Sequence, residues 1–503
     1  MMKRAIRDNL TQKRTKILTL SVIVFAASFY CCQNRQKVEG PFFGNGFHNG
    51  WADQTSIVIW TRLTRNPELN SAGQKFLIPS ADEARQLANN GDKEKIFKAQ
   101  IPDGFTLDQM EGACPGSVGE VKLVYGPFET PDQKIETEWV AVDADKNFTR
   151  QWKLQNLTSG TKYLVWLFAR KSAGSTLTDS IKGAFLTPPT SEISKNLNFC
   201  IVTCHDYPRR DDPKNGHKIY PVMLKLYPDF YVHTGDVEYY DKPAPFAMTE
   251  ELMRFKWDRL FALPYQRDFF SLFTTYFMKD DHDALSNDSY PGMKYGAVTF
   301  ERGVEIFDKE QFPSNEKTYK TVRWGKDLQI WMVEGRNYRS SNDAPDGPEK
   351  TIWGKEQKDW LFKTLKESDA TFKILITPGP ILGPDRSKKN DNYANYGFKY
   401  EGDEIRNYLM QFNNLYICNG DRHWQYVTHF EGTNLWEFGC GPGSDSHAEG
   451  WPPTDTRPEH RFLRVKGGFL KGNVSLKNGT STLTFQHFDV DGNVVHEEIF
   501  PAK

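Results

Sequence analysis

Residues 229–241, DFYVHTGDVEYYD, decide how this chain reads. The apolar and aromatic run has the composition of a strand covered on both faces. Gly235 breaks it, Asp236 follows, and Tyr239 comes three residues later. A carboxylate just past such a strand sits where α/β folds gather ligands, at the carboxyl ends of strands. Gly-Asp alone is also a turn signal, so the rest of the chain must separate a bend from a site.

Around this stretch, short apolar runs alternate with amphipathic patterns: LNFCIVTC (197–204), GHKIYPVMLKLY (216–227), ELMRFKWDRLFAL (251–263), LQIWMVEGR (328–336), GKEQKDWLFKTLKES (354–368), FKILITPG (372–379) and NNLYICNGD (413–421). Strand-helix alternation predicts an α/β domain over 196–503. Four runs end in polar groups: Cys204-His205-Asp206, Gly235-Asp236, Glu334-Gly335-Arg336 and Gly420-Asp421-Arg422-His423. The tail from 462 to 500 returns to strands, with DVDGNVV (489–495) as a hairpin turn. Upstream, TSIVIWTRL, EVKLVYG, EWVAVDA and LQNLTSGTKYLVWLFAR are separated by Gly, Pro, Asn and Asp. They predict a β-sandwich over 40–190, similar to fibronectin type III, with an insertion near 76–119 and a linker at 187–196.

At 503 residues the chain has room for two cores, since one core rarely grows past ~250 to 300 residues. Sixty-four Lys and Arg nearly balance 65 Asp and Glu, so no broad basic surface is available to capture nucleic acid. A monomer is expected. In residues 1–32, Lys3, Arg4, Arg7, Lys13, Arg14 and Lys16 precede ILTLSVIVFAASFY, which ends at Cys31 and Cys32. This is the pattern of an export signal, and its run of 14 residues falls short of the ~20 of a spanning helix. A cysteine there resembles a bacterial lipoprotein signal, with Cys32 as the lipidated residue; a plain cleaved signal and an uncleaved anchor are the other readings. The expected location is the cell envelope, periplasm or cell surface, with membrane contact only through the anchor. Export permits disulfides, but Cys114, Cys200, Cys204, Cys418 and Cys440 are an odd number and leave a thiol over.

The strand ends offer Cys204, Asp236, Tyr239, the DDHD of 280–283 with Asn287 and Asp288, Asp421 and His423. These O, N and S donors from separate loops could hold two metals, and alternate residues of an extended segment, such as Asp421 and His423, share a face. No G-x-S-x-G elbow occurs, which argues against a serine hydrolase.

Taken together these pieces resemble the PhoD-like phosphatases, the alkaline phosphatase D family of the metallophosphoesterase fold. VTCHDY (202–207) matches that family's S-C-Q-D-Y, HTGDVEYY (233–240) its H-L-G-D-Y-I-Y, KDDHDALSND (279–288) its W-D-D-H-[ED]…N-[ND], and NGDRHWQ (419–425) its G-D-x-H, all in order. The resemblance implies an N-terminal sandwich followed by a four-layered α/β/β/α catalytic domain. It also implies a hydrolase, an alkaline phosphatase or phosphodiesterase that cleaves phosphate esters with a metal-activated hydroxide. Cys204, Asp236, Tyr239 and His423 would surround one metal, ferric iron in such proteins; Asp236 would bridge to a second site with Asp421 and either Asp281 or Asn287, suited to calcium. His282 would stabilise the transition state or protonate the leaving oxygen. Arg336 and Arg339, in VEGRNYRS (333–340), would bind phosphate. His205, Lys279, Val237, Glu238 and Glu334 depart from the family pattern. The 381–398 loop reads as solvated and His447 as exposed. The competing reading is a surface-anchored binding protein with a structural or vestigial metal site.

Overall fold

The computed structural model describes residues 39–313, 315–452 and 454–502; the signal and Cys32 lie outside them. From Pro41 onward the chain forms one unit. Its centre is two sheets packed face to face. One has nine strands, in the order Val494–Pro501, Thr480–Asp489, Gly468–Lys477, Leu197–Val202, Phe230–His233, Thr274–Phe277, Phe47–Gly50, Ile57–Arg62 and Thr149–Leu154. The other has seven: Lys320–Trp324, Leu328–Met332, Phe372–Thr377, Leu415–Asn419, Trp436–Cys440, Gln425–His429 and His460–Arg464.

Period-2 alternation explains the layering. Phe199, Ile201, Phe230 and Val232 point inward to meet Ile330, Met332, Ile374, Ile376 and Cys418 of the facing sheet. Their neighbours Cys200, Val202 and Tyr231 point outward onto helices Ile219–Leu226 and Glu250–Phe261. On the far side, Trp331, Leu375, Leu415 and Ile417 take Gly354–Glu367 and Lys399–Leu409. These strands are covered on both faces, which is why they read as continuous apolar runs. Helix Glu250–Phe261 starts at Thr249, whose Oγ1 accepts the Leu252 N–H, with Glu250 and Glu251 in the first turn complementing the helix dipole. The result is the expected α/β/β/α stack.

Strands Leu197–Val202, Phe230–His233 and Thr274–Phe277 run parallel, as do Leu328–Met332, Phe372–Thr377 and Leu415–Asn419. Parallel pairing puts each set of carboxyl ends along one edge, so the loops that follow converge there.

Residues 41–186 contain the anticipated strands. Lys162–Arg170 alternates strictly between buried and half-buried positions and pairs with Glu120–Pro127 and Leu177–Leu186. This sheet packs Val121, Leu123, Val165 and Leu167 against Phe47, Ile57, Ile59 and Trp152. The second sheet of that sandwich, however, is the end of the nine-stranded sheet: Gly50 registers with Thr275 in parallel. Asn49 secures the join, its side-chain amide donating to the carbonyls of Ala184 at 2.9 Å and Phe273 at 3.3 Å. The two halves therefore share a sheet. Helices Ala81–Asn90 and Lys93–Gln100 fill the predicted insertion and add Leu87 and Ile96 to the helix layer.

Candidate metal centre

Cys204, Asp236 and Asp421 each follow a central strand, and all three adopt left-handed backbone, with φ of 52°, 54° and 63°. Such conformations cost about 1–3 kcal/mol apiece and persist where the surroundings impose them. Here the Cys204 N–H donates to Gly235 O at 3.2 Å and the His205 N–H to Asp236 O at 2.8 Å. Between the sheets, the Asp421 N–H donates to Thr203 Oγ1 at 3.2 Å. A Cβ on Gly420 would lie 2.2 Å from Thr234 Oγ1 and 2.3 Å from Thr203 Oγ1, so the two strand ends meet only because residue 420 is glycine.

This brings the predicted donors together. Cys204 Sγ lies 3.5 Å from Asp236 Oδ2, and Tyr239 Oη lies 3.1 Å from that same oxygen and 3.2 Å from His423 Nε2. Ligand atoms of Cys204, Asp236 and His423 fall within 4.8 Å of one another; so do those of Asp236, Asp280 and Asp421, and of Asp236, Asp281 and His282. Asp236 belongs to all three groups. Asp236 Oδ1, Asp280 Oδ2 and Asp281 Oδ1 are buried without a hydrogen-bond donor among the described residues. Buried carboxylate oxygens of that kind are costly unless something positive meets them, so the donor set fits metal ions.

Asp280 was not singled out by the sequence, although it stands beside Asp281 in the same DDHD; only the strand end shows that the first acid joins Asp236 and Asp421. Asn287 is exposed, and its amide donates to Asp288 Oδ2 at 2.8 Å. It still lines the same cavity, of about 340 Å³, as Asp236, Asp281, His282, Arg336 and His423.

Crowding of acids governs the electrostatics. Burial raises Asp236 well above the ordinary carboxylate range, and the neighbouring Asp281 adds to it. Burial carries Asp280 to about 8 against the pull of Arg336, and Asp421 to about 6 against that of Arg422. Burial and Asp236 also raise the Cys204 thiol and the Tyr239 phenol. Cations would reverse these shifts and draw the charged forms out. His282 behaves oppositely: burial would lower it, but Asp241, Asp281 and Asp236 outweigh burial and carry it up to about 10. Its Nδ1 donates to Asp241 Oδ1 at 2.6 Å.

Surrounding charges hold the loops. Arg336 Nε donates to Asp280 Oδ1 at 2.5 Å, and its Nη2 lies 3.6 Å from Asp281 Oδ1. Lys279 Nζ meets Glu334 Oε2 at 2.7 Å, so two positions that depart from the family pattern are partners. Glu334 Oε1 accepts the N–H groups of Arg336 and, at 2.6 Å, Asn337. Arg339 is absent from the cavity lining: its Nη2 donates to Asn342 Oδ1 and Asp391 O, both at 2.6 Å, and its guanidinium lies 4.7 Å from the Phe398 ring centroid.

Two readings need correction. His447 is fully buried, its ring 4.3 Å from that of His423 and 5.2 Å from that of Tyr239. The glycine-rich turn carries it inward because Gly443 donates to Cys204 O and packs on the His205 ring. The 381–398 loop buries Asp385, Asp391 and Asn392, with Asp385 and Asp391 bound to Arg422 at 2.6 and 3.0 Å, because that arginine needs buried counter-charges. All five cysteines among the described residues are unpaired and buried.

Comparison with known proteins accords with this geometry. Residues 306–467 match the family model described as PhoD-like phosphatase. The chain resembles the PhoD-like phosphatases. That PhoD-like segment includes Arg336, Asp421 and His423 but not Cys204 or Asp236. Alkaline phosphatase D of Bacillus subtilis (strain 168) is 24% identical over 191 residues, covering 31% of this chain; the chain thus aligns with about a third (32%) of that relative's length. A solved structure of PhoD superposes with a TM-score of 0.65 at 16% identity, covering 93% of this chain and 92% of that one. A purple acid phosphatase from yellow lupin (Lupinus luteus) seeds gives 0.58 at 12% identity, with 92% and 74% covered. The PhoD-like fold is shared with both.

Proposed function

We propose that this chain is a metal-dependent phosphoesterase of the PhoD-like type. The observation that carries the proposal is the clustering of Cys204, Asp280, Asp281, Asp421 and His423 around Asp236, with buried oxygens of Asp236 and Asp280 that accept no hydrogen bond among the described residues, at a cavity lined by Asp236, Asp281, Asp421, His423 and Arg336. Cys204, Asp236, Tyr239 and His423 would hold one ion, and Asp236 with Asp421 and Asp280 or Asp281 a second. Sulfur and phenol donors suit ferric iron and the oxygen-rich set suits calcium. Bound cations supply acidification of water and neutralisation of phosphate charge.

The chain's own groups do the rest. Arg336, pinned along one edge by Asp280, presents its remaining donors to the phosphate oxygens. With His282 Nδ1 committed to Asp241, Nε2 is the nitrogen left to donate to a substrate oxygen, and the Asp241 carboxylate favours the charged ring. Purified protein should release p-nitrophenol from p-nitrophenyl phosphate or its bis ester, and a chelator should abolish this release. Turnover insensitive to chelator, or no turnover with iron and calcium supplied, refutes the proposal; the latter result favours the binding-protein reading.

We also infer export with lipid attachment at Cys32, which rests on the sequence of residues 1–32. A mature protein whose mass shows Met1 retained, or no acyl chain on Cys32, would contradict it.

A further inference from the structure

The 381–398 loop is built to present charge. Ile381, Leu382 and Gly383 donate their N–H groups to the Glu437 carboxylate at 2.7, 2.8 and 3.0 Å. Asn392 Nδ2 bridges Asp385 Oδ2 at 2.8 Å and Asp391 Oδ1 at 3.0 Å, and its Oδ1 accepts the Ala394 N–H at 2.8 Å. From this frame Arg386 and Lys389 line the 340 Å³ cavity, together with Lys242 from the segment after Tyr239.

Their charge is not used up locally. Arg422 Nη1 meets Asp421 at 3.0 Å, a carboxylate that a metal would take on the phosphoesterase reading, and otherwise Arg386, Lys389 and Arg422 share two, Asp385 and Asp391. Arg422 takes both at 2.6 and 3.0 Å, which leaves Lys389 sharing Asp391 at 3.0 Å and Arg386 at 3.5 Å from Asp385. Arg386 Nε is buried with no hydrogen-bond acceptor, and its guanidinium is held 5.2 Å from the Trp424 ring centroid. With Asp421 given to a metal, these three cations are left with two acids as direct partners and one positive charge over, at a cavity that already has Arg336 for a phosphate. The cavity falls at the lower end of the ~300–1,000 Å³ of ligand pockets and has room for more than a phosphate.

Resting on the phosphoesterase reading, we propose that Arg386, Lys389 and Lys242 form a second anion subsite, and that the preferred substrate is a phosphate ester whose alcohol portion carries a further phosphate. Guanidinium and ammonium groups donating to such an anion make charge-assisted hydrogen bonds, and one or two of these, partly exposed, favour the doubly phosphorylated substrate by about tenfold.

Fructose 6-phosphate and fructose 1,6-bisphosphate differ by that one group. Initial phosphate release should give kcat/KM about tenfold higher for the bisphosphate in the wild-type protein at low ionic strength, and less as salt is added. Arg386→Gln with Lys389→Gln should bring the ratio of the two kcat/KM values toward one, whereas Arg386→Lys with Lys389→Arg, which keeps the charge, should largely preserve it. Turnover of both substrates at equal kcat/KM, or a ratio that survives the neutral double substitution, overturns the subsite and leaves the phosphoesterase reading standing. Turnover of neither overturns both.

Discussion

Replacing Lys279 by methionine removes one half of a charge pair in which both side chains are nearly sealed from solvent, 2% and 3% exposed. Glu334 would then lie buried with its N–H donors but no counter-ion. Breaking a buried pair from one side costs about 3–5 kcal/mol, whereas replacing both partners by neutral groups is often close to neutral. Glu334→Gln should cost less, because Lys279 retains Asp308 at 3.5 Å and a glutamine oxygen can still accept the Asn337 N–H. Unfolding entropy of roughly 2.1 cal/mol/K per residue over about 460 residues amounts to about 1 kcal/mol/K, so Lys279→Met should lower Tm by about 3–5 °C. The Lys279→Met/Glu334→Gln double variant should recover part of that loss, with a coupling of about 1–3 kcal/mol. Calorimetry on the four proteins reads this cycle directly. Because the pair adjoins Asp280 and Arg336, the single variants should also show a raised KM for phosphate esters. A Tm for Lys279→Met within about 1 °C of wild type, equivalent to a loss of ~1 kcal/mol or less, or losses that simply add, would show that the pair is not a clasp.

Three further outcomes follow from the site. Cys204→Ser should lose iron in metal analysis while keeping the fold by circular dichroism; equal iron in both proteins would remove the thiolate from the ligand set. Arg336→Lys should lower kcat/KM on p-nitrophenyl phosphate by about 10- to 100-fold, since a lysine cannot hold Asp280 and present paired donors together; an unchanged value would put the phosphate elsewhere. Burial would raise Asp391, yet Arg422 and Lys389 outweigh it and hold its carboxyl below the usual range. A depressed carboxylate contributes stability above its unfolded value of ~3.9 and loses it as pH falls through the lower folded value. Tm measured from about pH 4 downward should therefore fall more steeply in wild type than in Asp391→Asn, and parallel curves would contradict this.

Both central sheets were legible because strands such as FKILIT and LNFCIV are mainly apolar, with no regular polar alternation, the mark of burial on two faces. The donors were legible for a related reason: a polar residue directly after such a strand has little else to do there. What escaped depended on contacts between distant segments. Asp280 and Asp281 are chemically identical neighbours, and only the local backbone decides which one turns toward Asp421. His447 follows a glycine-rich stretch that looks solvated until Gly443 is seen against Cys204. Asp385 and Asp391 sit in a polar loop whose need for Arg422 cannot be inferred from spacing. Likewise, Asn49 gives no local hint that it ties the first strands to Thr274–Phe277.

That tie has a practical corollary for anyone dissecting the chain. Starting a fragment at residue 196, where the sequence suggests a seam, would strip Phe47–Gly50 from the flank of Thr274–Phe277 and leave a bare row of backbone donors and acceptors four residues upstream of Asp281. An uncovered edge of this sort invites self-association. The amino-terminal strands are thus better regarded as the outer wall of the half that carries the candidate metal centre than as an appendage that can be cut away.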